Sequence, residues 1–223
     1  MLAEMDHNVG QMLDVVDRLG IRNDTIVIFA SDNGPEFIRP WDGWAGPWRG
    51  QYFTALEGGI RVPFLIRGPG KLPAGRVSDE IVHGVDLFPT LASIAGAAVP
   101  KDRPIDGVDQ SNFFLGKTEK SSREGILIWC ADRLPAVKRR NYKVHFYQQE
   151  TMISPPVKLG VPKLFNLYTN PLEDDAKPTV DSWVVGPVLK MVAVFEESVK
   201  KHPLIPIGAP DPYTPSAAKT GGN

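Results

Sequence analysis

Asp32 and Asn33 stand side by side at the end of an apolar run, Thr25-Ile26-Val27-Ile28-Phe29-Ala30, and offer a carboxylate and a carbonyl together. Both are hard oxygen donors, suited to Ca²⁺ or Mg²⁺ rather than to zinc. An apolar run that stops abruptly at such a pair is how an α/β protein presents ligands at the carboxyl edge of a sheet. Gly34 and Pro35 then turn the chain out of the strand. The tetrad Ser31-Asp32-Asn33-Gly34 reads equally as an Asx turn, since Asp, Asn and Gly all tolerate turn geometry. A second segment, Glu57-Gly58-Gly59-Ile60-Arg61-Val62-Pro63, begins 23 residues after Gly34. With Arg49 and Tyr52 before it, this stretch predicts a loop that bends tightly at the glycines and re-enters a sheet over Val62 to Ile66.

The elements that must position these groups follow from periodicity. Leu2, Met5, Val9, Met12, Leu13, Val16 and Leu19 recur at three- and four-residue steps and predict an opening amphipathic helix. The Thr25 to Ala30 run is apolar throughout, as in a strand of a parallel sheet covered on both faces. A helix is expected over Leu87 to Ile94, with Asp86 as its cap and Pro89 in its first turn. Further strands are expected near Ile126 to Cys130, Ala136 to Lys138, Lys143 to Tyr147 and Leu164 to Tyr168, in antiparallel order. A closing helix from Asp181 to Lys200 carries Trp183, Val184, Leu189, Val192, Phe195 and Val199, with Pro187 in its first turns or at a break. Residues 1–100 therefore read as the tail of a doubly wound α/β unit, 101–202 as a smaller antiparallel α+β subdomain, and 203–223 as an extended or disordered tail.

Composition excludes more than it assigns. Twenty-five basic against 26 acidic residues, a net charge of −1, leave no electrostatic footprint for nucleic acid. No run approaches the roughly 18 apolar residues a membrane-spanning helix needs. The one cysteine, Cys130, excludes an internal disulfide and reads as a small hydrophobe in a β-run. The 21 prolines and 21 glycines imply many loops, which suits a site built on connections.

Asp32-Asn33-Gly34 after a buried strand, Arg49-Gly50 ahead of Glu57-Gly58-Gly59-Ile60-Arg61-Val62-Pro63, and Gly68-Pro69-Gly70 resemble the type I sulfatases, the arylsulfatase family of the alkaline-phosphatase-like superfamily. Val85-Asp86-Leu87-Phe88-Pro89-Thr90-Leu91, Ile105-Asp106-Gly107-Val108-Asp109 and Leu164-Phe165-Asn166-Leu167-Tyr168-Thr169-Asn170-Pro171-Leu172-Glu173 extend the resemblance in the family's order. It implies hydrolysis of aryl or carbohydrate sulfate esters, with Asp32 and Asn33 as calcium ligands and Arg49, Tyr52 and His83 toward the substrate. Tyr52 stands where the family often has a sulfate-contacting lysine; a phenol offers a hydrogen bond but no positive charge near neutrality.

The family's nucleophile, a formylglycine made within a C/S-x-P/A-x-R motif, has no counterpart here, because Cys130 is followed by Ala131, Asp132 and Leu134 at the variable, Pro/Ala and Arg positions. The resemblance thus covers the carboxyl-terminal half of such an enzyme, and the chain alone is expected not to turn over. A phosphate or phosphonate ester hydrolase of the same superfamily and a non-catalytic binding module remain alternatives. A strand robbed of its neighbours would expose an edge, so self-association is expected. Among other residues, His7 reads as a surface or core-edge side chain. Glu57 reads as a loop acceptor or a partner of Arg61. Trp41, Trp44 and Trp48 read as a packing cluster or the wall of a pocket, and Lys138-Arg139-Arg140 as a solvated hairpin.

Overall fold

A computed structural model describes residues 1–40, 43–102, 104–206 and 208–210. Trp41, Arg103 and the expected tail beyond residue 210 lie outside them. Helix α1 (Leu2–Arg18) forms where the stripe predicts it, yet none of its residues is buried. Leu2, Met5, Met12 and Leu19 face solvent. An ion pair from Asp17 to Arg67, at 3.0 Å, ties the helix to the sheet behind it.

Strands β1 (Val27–Ala30) and β2 (Phe64–Arg67) pair with Val27 opposite Arg67 and Ala30 opposite Phe64. The pair is antiparallel and half open, with Phe64 and Leu65 exposed, whereas the apolar run had suggested a parallel strand covered on both faces. The connection explains the difference. The connection is long enough for either sense, but a parallel return usually packs a crossover helix against the sheet. Between β1 and β2 the described chain holds a single helical turn, α2 (Glu57–Ile60), and folds back on itself.

Helix α3 (Leu87–Ile94) has the expected bounds, but Asp86 does not cap it through its side chain. The Asp86 carboxylate is fully buried and serves two other purposes. It accepts the backbone N–H of His83 at 2.9 Å, closing a capping box on the short 3₁₀ turn Gly84–Asp86, and that of Val108 at 2.8 Å. It also pairs with Arg123, whose Nε lies 2.8 Å away, just ahead of the second sheet. The two parts of the chain are stitched further where Thr90 Oγ1 accepts the N–H of Gln110, at the start of the one-turn helix α4 (Ser111–Phe114).

The second sheet is an antiparallel meander of β3 (Gly125–Cys130), β4 (Arg133–Arg139), β5 (Tyr142–Gln148) and β6 (Val157–Asn166). β6 begins well before the expected Leu164. Its first half carries Gly160 and Pro162, which weaken a strand reading, but an edge strand tolerates proline because one side of it is unpaired. Pro135 sits within β4 next to the register shift between Ile128 and Cys130, where a lost N–H costs little. After a 3₁₀ turn, Ser182–Val184, helix α5 (Val185–Lys201) lies across one face of the sheet. Pro187 falls in its first turn, among N–H groups that have no intrahelical partner anyway.

Period-two alternation sorts this sheet into two faces. Val137, Val144 and Leu164 meet Val184 and Val188 in the main core. Ala136 and Ile128 point the other way and pack on Ala55 and Ile60, beside α2. That second face also carries Lys138, Lys143, His145 and Lys163, by the register Lys138 opposite Lys143 and His145 opposite Lys163. No helix among the described residues is long and apolar enough to cross a membrane.

Burial alone would raise the pKa of Asp86, but hydrogen bonds from Arg123, Val108 and His83 outweigh it and hold the carboxyl below its ordinary value. A depressed carboxylate stabilises the fold above its unfolded pKa of about 3.9 and loses that contribution as pH falls through the folded value. Chemical unfolding followed from pH 7 down to pH 3 should show stability falling at the acid end. Asp86→Asn should flatten that decline while lowering stability at pH 7.

Candidate active site

Asp32 and Asn33 leave the end of β1 at the surface, where Ser31 Oγ donates to the Asn33 carbonyl at 3.0 Å and backbone contacts anchor the turn. Ser31 N–H extends the ladder to the Pro63 carbonyl at 3.3 Å, and Gly34 N–H donates to the Gly59 carbonyl at 2.9 Å. Gly58 N–H in turn donates to the Arg49 carbonyl at 2.8 Å. A β-carbon on Gly34 would stand 1.8 Å from the Gly58 oxygen, and one on Gly58 would stand 2.6 Å from the Gly50 oxygen. The glycines of the two sequence segments are therefore one seam, in which main chain lies on main chain.

Above this seam the two donors are oriented. Asp32 Oδ1 accepts the Asn33 N–H at 2.9 Å, while Oδ2 makes no hydrogen bond to the described residues. Asn33 Nδ2 donates to the Gly34 carbonyl at 2.9 Å, and its amide oxygen takes no hydrogen bond from the described residues. A hard cation takes six to eight oxygen ligands. The described residues gather no group of three or more His, Cys, Asp or Glu side chains able to hold an ion, so this pair fits as two members of a larger donor set.

Arg49 is heavily engaged. Its Nε donates to the Leu172 carbonyl at 2.9 Å, Nη2 to the Glu173 carbonyl at 2.5 Å and Nη1 to Glu150 Oε2 at 2.9 Å. Tyr52 anchors its loop by donating its N–H to the Pro35 carbonyl at 3.0 Å, and its ring meets Phe53 edge-on. His83 lies elsewhere: its Nδ1 accepts the Val85 N–H at 3.2 Å beside the Asp86–Arg123 pair. Burial and the nearby Arg123 hold the His83 imidazole below its usual pKa despite Asp86 and Asp106. Trp48 is covered by the Arg61 guanidinium, 4.2 Å from the ring centroid, whereas Trp44 is exposed. The cysteine closes β3, its thiol against the Phe53 carbonyl.

A cluster that sequence reasoning did not assemble lies beneath α2. The Glu57 carboxylate is buried, with Lys138 Nζ at 2.6 Å and Lys143 Nζ at 3.1 Å; Arg61, its expected partner, stays at 3.9 Å. Lys138 is thus an inward ligand of Glu57, while Arg139 and Arg140 form the solvated part of the expected hairpin by pairing with exposed Glu124. Glu173, at a left-handed φ of 53°, receives the Glu57 N–H at 2.6 Å, Lys143 at 3.2 Å and His145 Nε2 at 2.7 Å. Burial alone would raise both glutamates, but Lys143 and the other cations and donors around them hold both in the ionised form. The one sequence signal was the alternation Lys143-Val144-His145-Phe146, which places two polar side chains on the same face of a central strand.

Removing one partner of a buried ion pair leaves an uncompensated charge. Lys143→Ala should cost about 3–5 kcal/mol in urea unfolding, well beyond Arg140→Ala at the exposed Glu124 pair, which should cost no more than about 1 kcal/mol. Gly34→Ala should lower stability by about 3 kcal/mol or more, since neither partner of the clash is a movable side chain. Gly84→Ala, where a β-carbon meets nothing within 4 Å, should stay within about 0.5 kcal/mol.

The Sulfatase family model matches residues 1–97. Human steryl-sulfatase is 39% identical over 143 residues, covering 61% of this chain and 24% of that protein. Bovine arylsulfatase A is 40% identical over 159 residues, covering 69% of this chain and 31% of its own length. The crystal structure of PsFucS1 sulfatase from Pseudoalteromonas sp. superposes with a TM-score of 0.84 at 28% identity, over 91% of this chain and 43% of that one. The chain spans about a quarter to a third of the curated relatives it matches; residues 1–97 match the Sulfatase family model, and the fold is shared with a sulfatase of known structure.

Proposed function

We propose that this chain supplies part of the active site of a sulfuric ester hydrolase, with Asp32 and Asn33 as two ligands of a calcium ion. The observation that carries the reading is that Asp32 Oδ2 and Asn33 Oδ1, on neighbouring residues of a rim fixed by the Gly34–Gly58 seam, take no hydrogen bond from the described residues. A bound cation would act as a Lewis acid toward the ester oxygens. The chain's own residues orient the donors: Ser31 and Gly34 lock the rim to β2 and α2, and the Arg49 carbonyl holds Gly58 beneath it.

Arg49 and Tyr52 border this rim through the same loop, and we assign them to the substrate side. Arg49 does so as a positioned charge already shared with Glu150, and Tyr52 as a hydroxyl without charge. For His83 the assignment rests on the family resemblance alone, since its ring caps a 3₁₀ turn. No residue of the 223 is assigned as nucleophile; in this reading a formylglycine supplied by the sulfatase architecture fills that role. We also propose 1–100 and 101–202 as the two structural parts, with the open edge of the β1–β2 pair available for self-association.

Calcium binding is read directly by titration calorimetry and by thermal unfolding with and without CaCl₂. The expected result is a rise in melting temperature with Ca²⁺, binding of inorganic sulfate that requires Ca²⁺, and loss of both in Asp32→Ala. Equal responses of the parent chain and Asp32→Ala would overturn the assignment.

A further inference from the structure

Between the loop that starts at Arg49 and the polar face of the second sheet lies a cavity of about 150 Å³. Its floor is His145, only 5% exposed, whose Nε2 lies 2.7 Å from Glu173 Oε2. Glu173 already receives Lys143 and the Glu57 N–H, so it is a carboxylate that accepts, and Nε2 must carry the proton it accepts. Nδ1 is then a lone pair. It makes no hydrogen bond to the described residues, and the one sealed side-chain atom without a partner among them is Gln110 Nε2, so Nδ1 keeps contact with solvent on a side chain that lines the cavity. Burial keeps the imidazole below its usual pKa in spite of Glu173, which preserves that lone pair near neutrality.

The rim is a connected string of hydrogen bonds. Lys163 Nζ donates to Gln148 Oε1 at 2.7 Å, Gln148 Nε2 to Glu150 Oε1 at 2.8 Å, and Arg49 Nη1 to Glu150 Oε2 at 2.9 Å. This string fixes the side chains without exhausting them, because Lys163 keeps two N–H donors. Tyr147 and Phe165 add ring surface, Phe165 meeting His145 edge-on with centroids 5.5 Å apart.

We infer that this cavity is a subsite for one neutral sugar ring, whose adjacent hydroxyls donate to His145 Nδ1 and accept from Lys163. A hydroxyl does both, so a vicinal diol matches a lone pair beside an ammonium. Sulfate or carboxylate, which only accept, would set their oxygens against the Nδ1 lone pair. The volume also selects: drug-sized ligands occupy roughly 300–1,000 Å³, so a fused polycycle is too large and a single ring suits. As a statement about an ester substrate this rests on the hydrolase reading above, and it favours a carbohydrate over a polycyclic sulfate. Occupancy of the cavity itself is independent of the metal rim.

Saturation-transfer NMR on the full chain with neutral methyl pyranosides of gluco, galacto and fuco configuration tests the assignment, with phenol and inorganic sulfate as comparison ligands. At least one pyranoside should show saturable transfer to the ring protons that phenol and sulfate do not displace. Lys163→Met keeps the aliphatic stem and should weaken that binding about tenfold, the effect of one charged hydrogen bond. His145→Phe should abolish it, with near-UV circular dichroism reporting that the sheet is intact. Asp32→Ala should leave it unchanged. Pyranoside binding that persists in Asp32→Ala while calcium-dependent sulfate binding is absent from the parent chain would retain the subsite and overturn the hydrolase reading. No pyranoside binding by the parent chain, or undiminished binding by Lys163→Met, would overturn the subsite.

Discussion

Lys138 and Lys143 face each other directly across β4 and β5, an arrangement that like charges oppose. The carboxylate of Glu57 lies between them, and almost everything else in the molecule depends on that. Because Glu57 is the first residue of α2, neutralising the two lysines pulls the helical turn down onto the sheet. The turn brings Gly58 and Gly59 with it, and these hold Gly34. A buried charge cluster thus fixes the position of two surface oxygens through a chain of contacts with little slack, since bare backbone cannot relax by changing rotamer.

Glu173 completes the cluster from a segment 116 residues downstream of Glu57. It gives Lys143 a second counter-charge and orders His145 in one tautomer. Its own carbonyl, with that of Leu172, holds the Arg49 guanidinium. Arg49 consequently belongs to both neighbourhoods: its backbone supports the glycine seam, while its side chain closes the rim of the cavity above His145. The Asp86–Arg123 pair repeats the same logic on the other flank, with a buried acid ahead of α3 gripping a base just before β3.

Local features were legible in the sequence. The bounds of α3, the existence of α1 and α5, and the four strands of the second sheet with their antiparallel sense follow from apolar spacing and turn residues. The sense of the β1–β2 pair was not, because an apolar run of that length looks the same in either direction. The early half of β6 was hidden by Gly160 and Pro162. The buried cluster was invisible for a different reason: Glu57 and Lys143 are 86 residues apart, and only the fold makes them neighbours. Asp86 shows the same limit, since a helix cap is a local inference and Arg123 is a distant partner. Asp32, Asn33 and the two glycine segments were legible as a set because a family motif links them, and the seam gives that motif its physical cause.

The glycine seam also separates two kinds of change. Position is held by main chain, which every substitution shares, whereas the cavity rim consists of Lys163, Gln148 and Glu150 on β5, β6 and the loop between them. A lineage could exchange those three side chains to suit a new ligand without moving either oxygen at the tip of β1. The lining of the cavity and the placement of those two oxygens would then drift independently, each on its own timetable.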